Sequence, residues 1–536
     1  VNTISEQLYK LTEPNGAQIR IHRNSLQATM ADTDDKVEDV GEIPEAVKPV
    51  VEVSDEDKAK AEQEKDKANA AFKAKHFLQA IDGYTRAIEL NPNNAIYYAN
   101  RAFANTKLEN YGSAVADATK ALEIDPKYIK AYYRRGDANF AMGRCKLALK
   151  DLRLAAKVAP RDPDLRKKLG ECEKEVKRLR FEEALALPEE EVVLVSSTID
   201  LTTMPVEESY KGPRMQGSDA EGYTITHEFV LAMLDEFKAQ RVVHRRFAFE
   251  IILKAQEMFK AMPSLVDIAV PEDKHFTVCG DVHGQFFDLT RIWELNGLPS
   301  PENPYLFNGD FVDRGSFSLE VMLSLLAFKV LYPDSMWLAR GNHESKNMNK
   351  IYGFEGEVKA KYSAVMADVF RETFCWLPLA YVLNGKVIVL HGGLFSRDDV
   401  TLDDIRKIDR FREPPEEGLM CEILWSDPSP VKGRTPSKRG VGVCFGPDVT
   451  QNFLDANGLE LIVRSHEVKE EGYEVEHGGR LVTVFSAPNY CDQMGNKGAF
   501  IRFNGNDVVP HFTTFEAAPH PDVKPMAYAT SFLWGM

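Results

Sequence analysis

Residues 276–284 read FTVCGDVHG, an apolar run that ends in a glycine and delivers an aspartate and a histidine. The same pattern recurs downstream in YLFNGD (305–310), MWLARGNHE (336–344) and VIVLHGG (387–393). An apolar, β-rich run closed by a glycine-containing turn predicts a buried strand whose polar end lies at a sheet edge. Polar side chains that meet at several strand ends are what a rigid metal site requires. The second half of the chain is therefore predicted to be an α/β domain.

Six short motifs in this half supply a set of metal-binding side chains. They are GDVHG (280–284), GDFVDRG (309–315), RGNHE (340–344), HGG (391–393), RSHE (464–467) and SAPNYC (486–491). Any one of them alone is more often a plain turn, but six in this order predict a metal site. Carboxylates, imidazoles and one amide, without cysteine, suit Mn, Fe or Zn, with Mg as an alternative. The candidate ligands are Asp281, His283, Asp310, Asn342, His391 and His466.

Taken together, the six motifs resemble those of the metal-dependent phosphoprotein phosphatases specific for serine and threonine, over residues 220–528. The resemblance implies a central β-sandwich flanked by helices, with a two-metal site that activates a hydroxide to attack phosphorus in line. No covalent phosphoenzyme is needed. It assigns Asp281, His283 and Asp310 to one ion, and Asp310, Asn342, His391 and His466 to the other.

Further side chains in the same motifs fit phosphoryl transfer. His343 follows a ligand, and Asp313 could orient its imidazole and raise its pKa, which would make His343 a general acid. Arg314 and Arg439 carry planar forks that bind phosphate oxygens bidentately. Tyr490 could add a hydrogen bond. The predicted substrate-binding set is Arg314, Asn342, His343 and Arg439.

A covalent cysteine mechanism is disfavoured. A cysteine phosphatase surrounds phosphate with a C-x5-R loop, and the chain offers that spacing only from Cys172 to Arg178, in CEKEVKR. This run has no glycine, carries two glutamates and is typical of a charged helix, so it cannot cradle an anion.

The first half of the chain contains a repeat. ELNP, EIDP and KVAP end at Pro92, Pro126 and Pro160, at intervals of 34 residues, the period of the tetratricopeptide repeat. Small residues recur in the same phase, whereas an ordinary helical bundle would match only by chance. Three stacked helical hairpins, an all-α array, are predicted. The small positions are Ala68, Ala102 and Gly136; Ala80, Ala114 and Ala148; and Ala87, Ala121 and Ala155.

A cationic groove is predicted on the repeats. Lys65 and Asn69 share one helix face, as do Lys130 and Arg134, and Asn100 is equivalent to Arg134 in the preceding repeat. This set resembles the dicarboxylate clamp of repeat proteins that grip the EEVD-type C-terminus of the heat-shock protein 90 chaperone. Alternatively, the five are solvated surface positions.

Repeats placed before such a catalytic domain resemble those phosphoprotein phosphatases that carry N-terminal tetratricopeptide repeats. The resemblance implies autoinhibition by the repeats and the C-terminal tail, with Glu109 at the contact position and release by chaperone tails or fatty acids. The alternative is two independent domains. Two further alternatives stay open for the function: an inactive phosphatase-like scaffold, and a metallophosphoesterase that acts on nucleotides or small phosphoesters.

Composition sets broader limits. A chain of 536 residues exceeds one hydrophobic core, and 44% hydrophobic with 28% charged residues is an ordinary globular balance. A net charge of −16 argues against a broad nucleic-acid surface. Seven cysteines without a C-x-x-C pair indicate reduced thiols, and no apolar stretch could span a membrane. We expect a protein of the cytoplasm and nucleus that acts on phosphorylated proteins.

Five segments are predicted. The acidic run after Met30 suggests that 1–57 is disordered, with 1–29 an upstream extension or artefact and a transit peptide as the alternative. The segments are 1–57, a disordered acidic extension; 58–160, three repeats; 161–215, a helical extension and linker; 216–528, the catalytic domain; and 529–536, a regulatory tail.

Overall fold

The repeat region begins where a serine caps the first helix. In the computed structural model, which describes residues 51–185, 193–219, 222–505, 507 and 509–529, the first helix starts at Asp55. The Ser54 hydroxyl accepts a hydrogen bond from the Asp57 backbone N–H at 3.0 Å. Residues 55–57, predicted as the end of the disordered extension, therefore belong to this helix. Residues 1–50 of that extension, and residues 530–536 of the predicted tail at 529–536, lie outside the described residues.

Six helices form three antiparallel hairpins, and a longer seventh helix follows them. Helix starts follow the 34-residue period, at Phe77, Tyr111 and Cys145 in one set and at Ala95 and Ile129 in the other. The helices are α1 (Asp55–Lys73), α2 (Phe77–Leu90), α3 (Ala95–Lys107), α4 (Tyr111–Ile124), α5 (Ile129–Ala141), α6 (Cys145–Val158) and α7 (Pro163–Leu185).

The repeat is confirmed by its packing. The six alanines of the second and third phases are fully buried between helices, and Gly136 is buried as well. A bidentate ion pair also repeats with the same period. Arg101 binds the carboxylate of Asp117 at 2.9 and 2.7 Å, and Arg135 binds that of Asp151 at the same two distances. Identical contacts in successive repeats show that each hairpin is the same structural unit.

The catalytic domain is built on two packed sheets. One sheet has five strands in the order β16-β15-β4-β5-β6, and the other has six in the order β13-β14-β12-β8-β7-β3. The remaining strands, β1 with β2 and β9 with β10 and β11, form small ribbons. The strands are β1 (Gln216–Ser218), β2 (Gly222–Thr224), β3 (Leu265–Ile268), β4 (His275–Cys279), β5 (Tyr305–Phe307), β6 (Met336–Leu338), β7 (Ala380–Leu383), β8 (Val387–Leu390), β9 (Asp427–Pro428), β10 (Arg434–Pro436), β11 (Val443–Phe445), β12 (Leu461–Arg464), β13 (Tyr473–Glu476), β14 (Leu481–Val484), β15 (Gly498–Asn504) and β16 (His511–Phe515).

Helices cover the outer faces of both sheets. The central one, Ser318–Leu331, is buried along most of its length, because it lies between the five-stranded sheet and other helices. The helices of this domain are α8 (His227–Lys238), α9 (Arg245–Lys260), α10 (Phe286–Asn296), α11 (Ser318–Leu331), α12 (Lys346–Tyr352), α13 (Phe354–Lys361), α14 (Ala364–Cys375), α15 (Leu402–Arg406), α16 (Leu419–Trp425) and α17 (Pro447–Asn457).

The carboxyl ends of the parallel strands in the two sheets lie side by side. Strands β4, β5 and β6 run parallel, as do β8, β12 and β14 in the other sheet. Aliphatic side chains from both sheets fill the space between them, including Val278, Val389 and Val463. The two sheets touch where Asp281 bridges to Phe485. This is the predicted sandwich flanked by helices, and its shared carboxyl edge is the site of the motifs.

The core of this domain extends beyond the predicted start at residue 216. The backbone N–H groups of Val195 and Ser196 donate to the carboxylate of Glu372 at 2.6 and 2.9 Å, and Val206 and Met215 are buried in the core. Residues from 194 onward, predicted as linker, therefore pack as part of the catalytic domain. Within the described residues, no helix is both long and apolar enough to cross a membrane.

Candidate active site

Six predicted ligands converge at the shared sheet edge. Each follows a strand: Asp281 and His283 after β4, Asp310 after β5, and the other three after β6, β8 and β12. All six are buried. His283, Asp310 and His466 adopt positive φ angles of 45°, 50° and 72°, which such residues rarely do. This strain concentrates where the side chains must turn inward, as is common at functional sites.

Asp310, proposed from the sequence as the bridging carboxylate, lies between two groups of histidine nitrogens. Its Oδ2 atom is 3.5 Å from Nε2 of His283 and 3.3 Å from Nε2 of His391. Asp281 Oδ2 lies 3.6 Å from the same His283 nitrogen. The two clusters are His283, Asp310 and His343, and Asp310, His391 and His466; within each, the ligand atoms lie within 4.8 Å of one another.

Backbone carbonyls fix the orientation of two histidines. His283 Nδ1 lies 3.0 Å from the Val312 carbonyl oxygen, and His391 Nδ1 lies 2.8 Å from that of Asn308. Each imidazole therefore donates its Nδ1 proton outward and turns the bare Nε2 toward the site. His391 Nε2 then faces the Asn342 Oδ1 atom at 2.9 Å, and both are acceptors. A divalent cation nearby would satisfy both acceptors.

The residues present fit divalent metal ions. Burial raises the pKa of Asp281 to about 7, and nearby Asp310 adds to the rise. Burial also lowers the pKa of His391 and of His466. The buried Nε2 atom of His466 has no hydrogen-bond partner among the described residues. Buried carboxylates and neutral imidazoles are the donor set that a divalent cation satisfies.

Glu344, the last residue of the RGNHE motif, holds the backbone of this site. Its carboxylate accepts hydrogen bonds from the N–H groups of Asp310, Phe311 and Gly341, at 2.8, 2.9 and 2.8 Å. Gly341 is required by close approach, since a Cβ there would lie 2.3 Å from Asp310 Oδ1. Glu344 was not among the predicted site residues, although the motif contains it.

His343 and Asp313 form the predicted pair, with one correction. His343 Nδ1 lies 2.9 Å from Asp313 Oδ2, and Asn349, which the sequence did not single out, donates to that oxygen at 3.1 Å. The predicted rise in the pKa of His343 is wrong for this arrangement. Burial and then the charge of Arg314 hold its pKa well below its ordinary value. Burial also raises the pKa of Asp313, to about 7.

The two predicted arginines line the same space. Arg314 stacks on Tyr352, with the guanidinium carbon 3.8 Å from the ring centroid. Arg439 donates from Nε to Asp427 Oδ2 at 2.7 Å and from Nη2 to the His466 carbonyl at 2.8 Å. The Tyr490 ring, also predicted, lies 5.1 Å from that of His283.

A turn of the repeat array reaches this site. Glu109, between α3 and α4, forms an ion pair with Nη2 of Arg314. Burial and Arg314 lower the pKa of His343, and the negative charge of Glu109 opposes that shift. Next to it, the Tyr111 hydroxyl is 2.7 Å from that of Tyr352.

Further contacts join the repeats to the catalytic domain. The Ser113 N–H donates to the Lys438 carbonyl at 2.9 Å, and Arg144 Nη2 donates to the Gly440 carbonyl at 3.0 Å. Lys350 and Glu175 pair at 2.9 Å. The repeats therefore touch both arginine-bearing segments of the site.

The predicted clamp residues are only partly brought together. Asn100 Nδ2 donates to Asn69 Oδ1 at 3.3 Å, which joins two of them across helices. Lys65 is held by Glu62 and Asp66, and Lys130 is exposed. Arg134 is buried, with its guanidinium carbon 3.4 Å from the Phe103 ring centroid, and burial lowers its pKa. A carboxylate that binds here must displace some of these partners.

Comparison with known proteins agrees with this architecture. Residues 274–470 match the calcineurin-like phosphoesterase family, residues 95–128 the tetratricopeptide repeat, and residues 169–267 the PPP5 TPR repeat region. Serine/threonine-protein phosphatase 5 of Arabidopsis thaliana is 59% identical in an alignment 526 residues long that covers 89% of this chain and 98% of that protein. The Homo sapiens protein of the same name is 54% identical over 474 residues, which cover 88% and 94% respectively.

A solved structure also matches. It is that of a protein serine/threonine phosphatase from Saccharomyces cerevisiae, at 45% identity and a TM-score of 0.55. The match covers 56% of this chain and 100% of that one.

Proposed function

The chain belongs to the serine/threonine-protein phosphatase 5 family and is a phosphoprotein phosphatase, and we propose that it hydrolyses phosphoserine and phosphothreonine at the shared sheet edge. The observation that carries the proposal is the convergence of six buried ligands and two arginines on one space. Such a space fits a phosphoryl group held by preorganised cations.

Two divalent metal ions are proposed as the cofactors, with Mn, Fe or Zn favoured by the donor set. Asp281, His283 and Asp310 would hold one ion, and Asp310 would share the other with Asn342, His391 and His466. When bound, the ions would act as Lewis acids that polarise the phosphoryl oxygens, and they would lower the pKa of bound water to near neutrality.

The remaining side chains bind the phosphoryl group and move a proton. Arg314 and Arg439 would hold its non-bridging oxygens, and Asn342 and Tyr490 would orient it. His343 would protonate the departing serine or threonine oxygen. Its imidazole is neutral in the present arrangement, but a phosphate dianion beside it favours the protonated form. Asp313 keeps the ring aligned for that transfer.

We also propose that the repeats restrain the enzyme. The Glu109 carboxylate pairs with Arg314, so it competes with the phosphoryl group for the same guanidinium. Because repeats and catalytic domain share one chain, the competitor acts at high effective concentration. A role for the tail at 529–536, of which residues 530–536 lie outside those described, stays a prediction.

The proposed partner of the repeats is the acidic EEVD-type C-terminus of the heat-shock protein 90 chaperone. Support comes from the cation and amide set at Lys65, Asn69, Asn100, Lys130 and Arg134. Lys130→Glu should weaken peptide binding in calorimetry by several kcal/mol, because it opposes like charges. Lys157→Glu, on another helix, is the control. Unchanged affinity in the Lys130 variant would reject the groove. Fatty-acid activation and a location in cytoplasm and nucleus also stay predictions.

A substrate panel tests the proposed reaction. The full chain, loaded with manganese, should release phosphate from phosphoserine and phosphothreonine peptides faster than from phosphotyrosine peptides or nucleotides. Asp310→Asn serves as the inactive control. Preference for nucleotides would indicate the small-phosphoester alternative, and no release from any substrate would indicate an inactive scaffold.

A further inference from the structure

Asp427 lies in strand β9, outside the six motifs, yet it connects two parts of the site. Its carboxylate accepts from Arg439 Nε at 2.7 Å and from Arg439 Nη2 at 3.3 Å. It also accepts from Arg464 Nη2 at 2.9 Å. Asp427 and Arg464 are buried, and Arg439 is 8% exposed. One carboxylate thus serves two guanidinium groups with little access to water.

These bonds leave one end of Arg439 available. Its Nε and Nη2 atoms bind Asp427, and Nη2 also binds the His466 carbonyl. Nη1 makes no hydrogen bond within the described part of the chain. Because a guanidinium is planar, fixing two of its nitrogens fixes the direction of the third. The bonds to Asp427 therefore determine where the free Nη1 points.

All three guanidinium nitrogens of Arg464 donate hydrogen bonds within the site. It donates from Nε to the Gly392 carbonyl at 2.7 Å and from Nη1 to Glu467 at 3.0 Å. Gly392 follows the predicted ligand His391, so this arginine holds the backbone beside the metal site. Because Arg464 is itself held in place, its hydrogen bond to Asp427 also fixes the position of that carboxylate.

The charge balance supports the same view. Burial opposes ionisation of Asp427, but Arg439 and Arg464 outweigh it and hold the pKa of that carboxyl below its ordinary value. Without the negative charge, two guanidinium groups would face each other in a buried space. Repulsion would then push the more exposed one, Arg439, from its place.

We propose that Asp427 is the positioning residue that aims Arg439 Nη1 at the phosphoryl group of the substrate. This inference rests on the proposed function. It assigns to the WSDPS segment (425–429) a part in phosphate binding, through an arginine rather than by contact with the substrate.

The test compares Asp427→Asn, Arg439→Ala and the double variant in the full, manganese-loaded chain. Phosphopeptide turnover and inhibition by inorganic phosphate are measured, together with metal content. Asp427→Asn should lower kcat/KM and raise the inhibition constant of phosphate by about 10- to 100-fold, with metal content unchanged. The double variant should be no worse than Arg439→Ala, because Asp427 acts through that arginine. Asp398→Asn, which breaks an exposed pair with Arg434, is the matched control.

Several outcomes would overturn the inference. An unchanged inhibition constant in Asp427→Asn, or additive losses in the double variant, would leave Asp427 with a structural role only. If Asp427→Asn is not recovered folded, Asp427→Glu keeps the charge but displaces Arg439 by one methylene. It should show the same weakening, and normal phosphate inhibition in it would contradict the inference. An inactive parent chain would instead contradict the proposed function itself.

Discussion

Glu109 and Arg314 form an ion pair across the boundary between the repeat array and the catalytic domain. Glu109 has a φ angle of 62°, in a turn closed by the bond from the Tyr111 N–H to its carbonyl at 2.8 Å. The strained turn presents the carboxylate to an arginine that lies within the GDFVDRG motif. The cation that we propose binds the phosphoryl group is thus paired with an acidic group of the same chain.

Removing this charge should activate the enzyme. Glu109→Gln keeps the shape of the side chain but breaks a largely buried charge pair, which should raise turnover of a small phosphopeptide by about ten-fold or more. Glu123→Gln, an exposed glutamate paired with Lys120 on the array, is the control and should change nothing. Equal turnover in both variants would show that Glu109 does not restrain the site.

A second pair should contribute less to the same restraint. Lys350 of α12 and Glu175 of α7 lie 2.9 Å apart, each with about a fifth of its side chain exposed. Lys350→Glu should raise basal turnover about 2- to 5-fold, because partly exposed pairs contribute about 1 kcal/mol or less. Adding Glu175→Lys should reverse much of the rise. Reversal will be incomplete, since Arg178 lies beside Glu175. No reversal would mean that the pair is incidental.

The strand-end ligands could be predicted because the signal is local. An apolar run followed by glycine and a polar residue defines both a strand and the place where it ends, as at Asp281 and His391. The repeat could also be predicted, since ELNP, EIDP and KVAP recur at intervals of 34 residues. Both features depend on neighbours along the chain and not on distant contacts.

What could not be predicted depends on packing between distant segments. The spacing suggested that Asp313 would orient His343, but the direction of the shift in the pKa of His343 follows from how completely other segments bury it. The role of Asp427 could not be predicted, because nothing in WSDPS indicates that Arg439 and Arg464 will both pair with its carboxylate. The packing of residues 194–215 against the catalytic domain was not predicted either, since this segment shows no periodic pattern of its own.

Asp310 should matter for both metal ions. Because its carboxylate lies between the two clusters, Asp310→Asn should reduce metal content by more than Asp281→Asn, with turnover lost in parallel. Inductively coupled plasma mass spectrometry of the purified chains measures this. Asp267→Asn, an exposed aspartate paired with Arg406, is the control. Full metal content in Asp310→Asn would argue against a shared carboxylate.

The leaving group should reveal the role of His343. An alkoxide needs a proton when it leaves, whereas a phenolate with a low pKa does not. His343→Ala should therefore slow hydrolysis of phosphoserine peptides by about 100-fold or more, and that of an activated aryl phosphate much less. Asp313→Asn should give the same bias in a weaker form. Equal losses on both substrates would mean that His343 does not act as the general acid.

Asp288 should make the stability of the catalytic domain depend on pH. It is 3% exposed and accepts from the Ala518 N–H at 2.7 Å and from Gln285 Nε2 at 2.8 Å. Burial raises its pKa from 3.8 to about 6. The folded state thus binds this proton more tightly than the unfolded state, so the stabilisation is present below pH 3.8 and is lost as pH rises to about 6.

Asp288→Asn removes that dependence, because an amide is neutral at every pH and its oxygen can still accept from the Ala518 N–H. At pH 7.5 the free energy of unfolding of the variant should exceed that of the parent by up to about 3 kcal/mol, and near pH 4 the difference should be much smaller. Urea denaturation followed by tryptophan fluorescence measures both values. Asp273→Asn, at an exposed position, should show no such trend. A difference that is the same at both pH values would mean that the ionised Asp288 carboxylate is not penalised by burial.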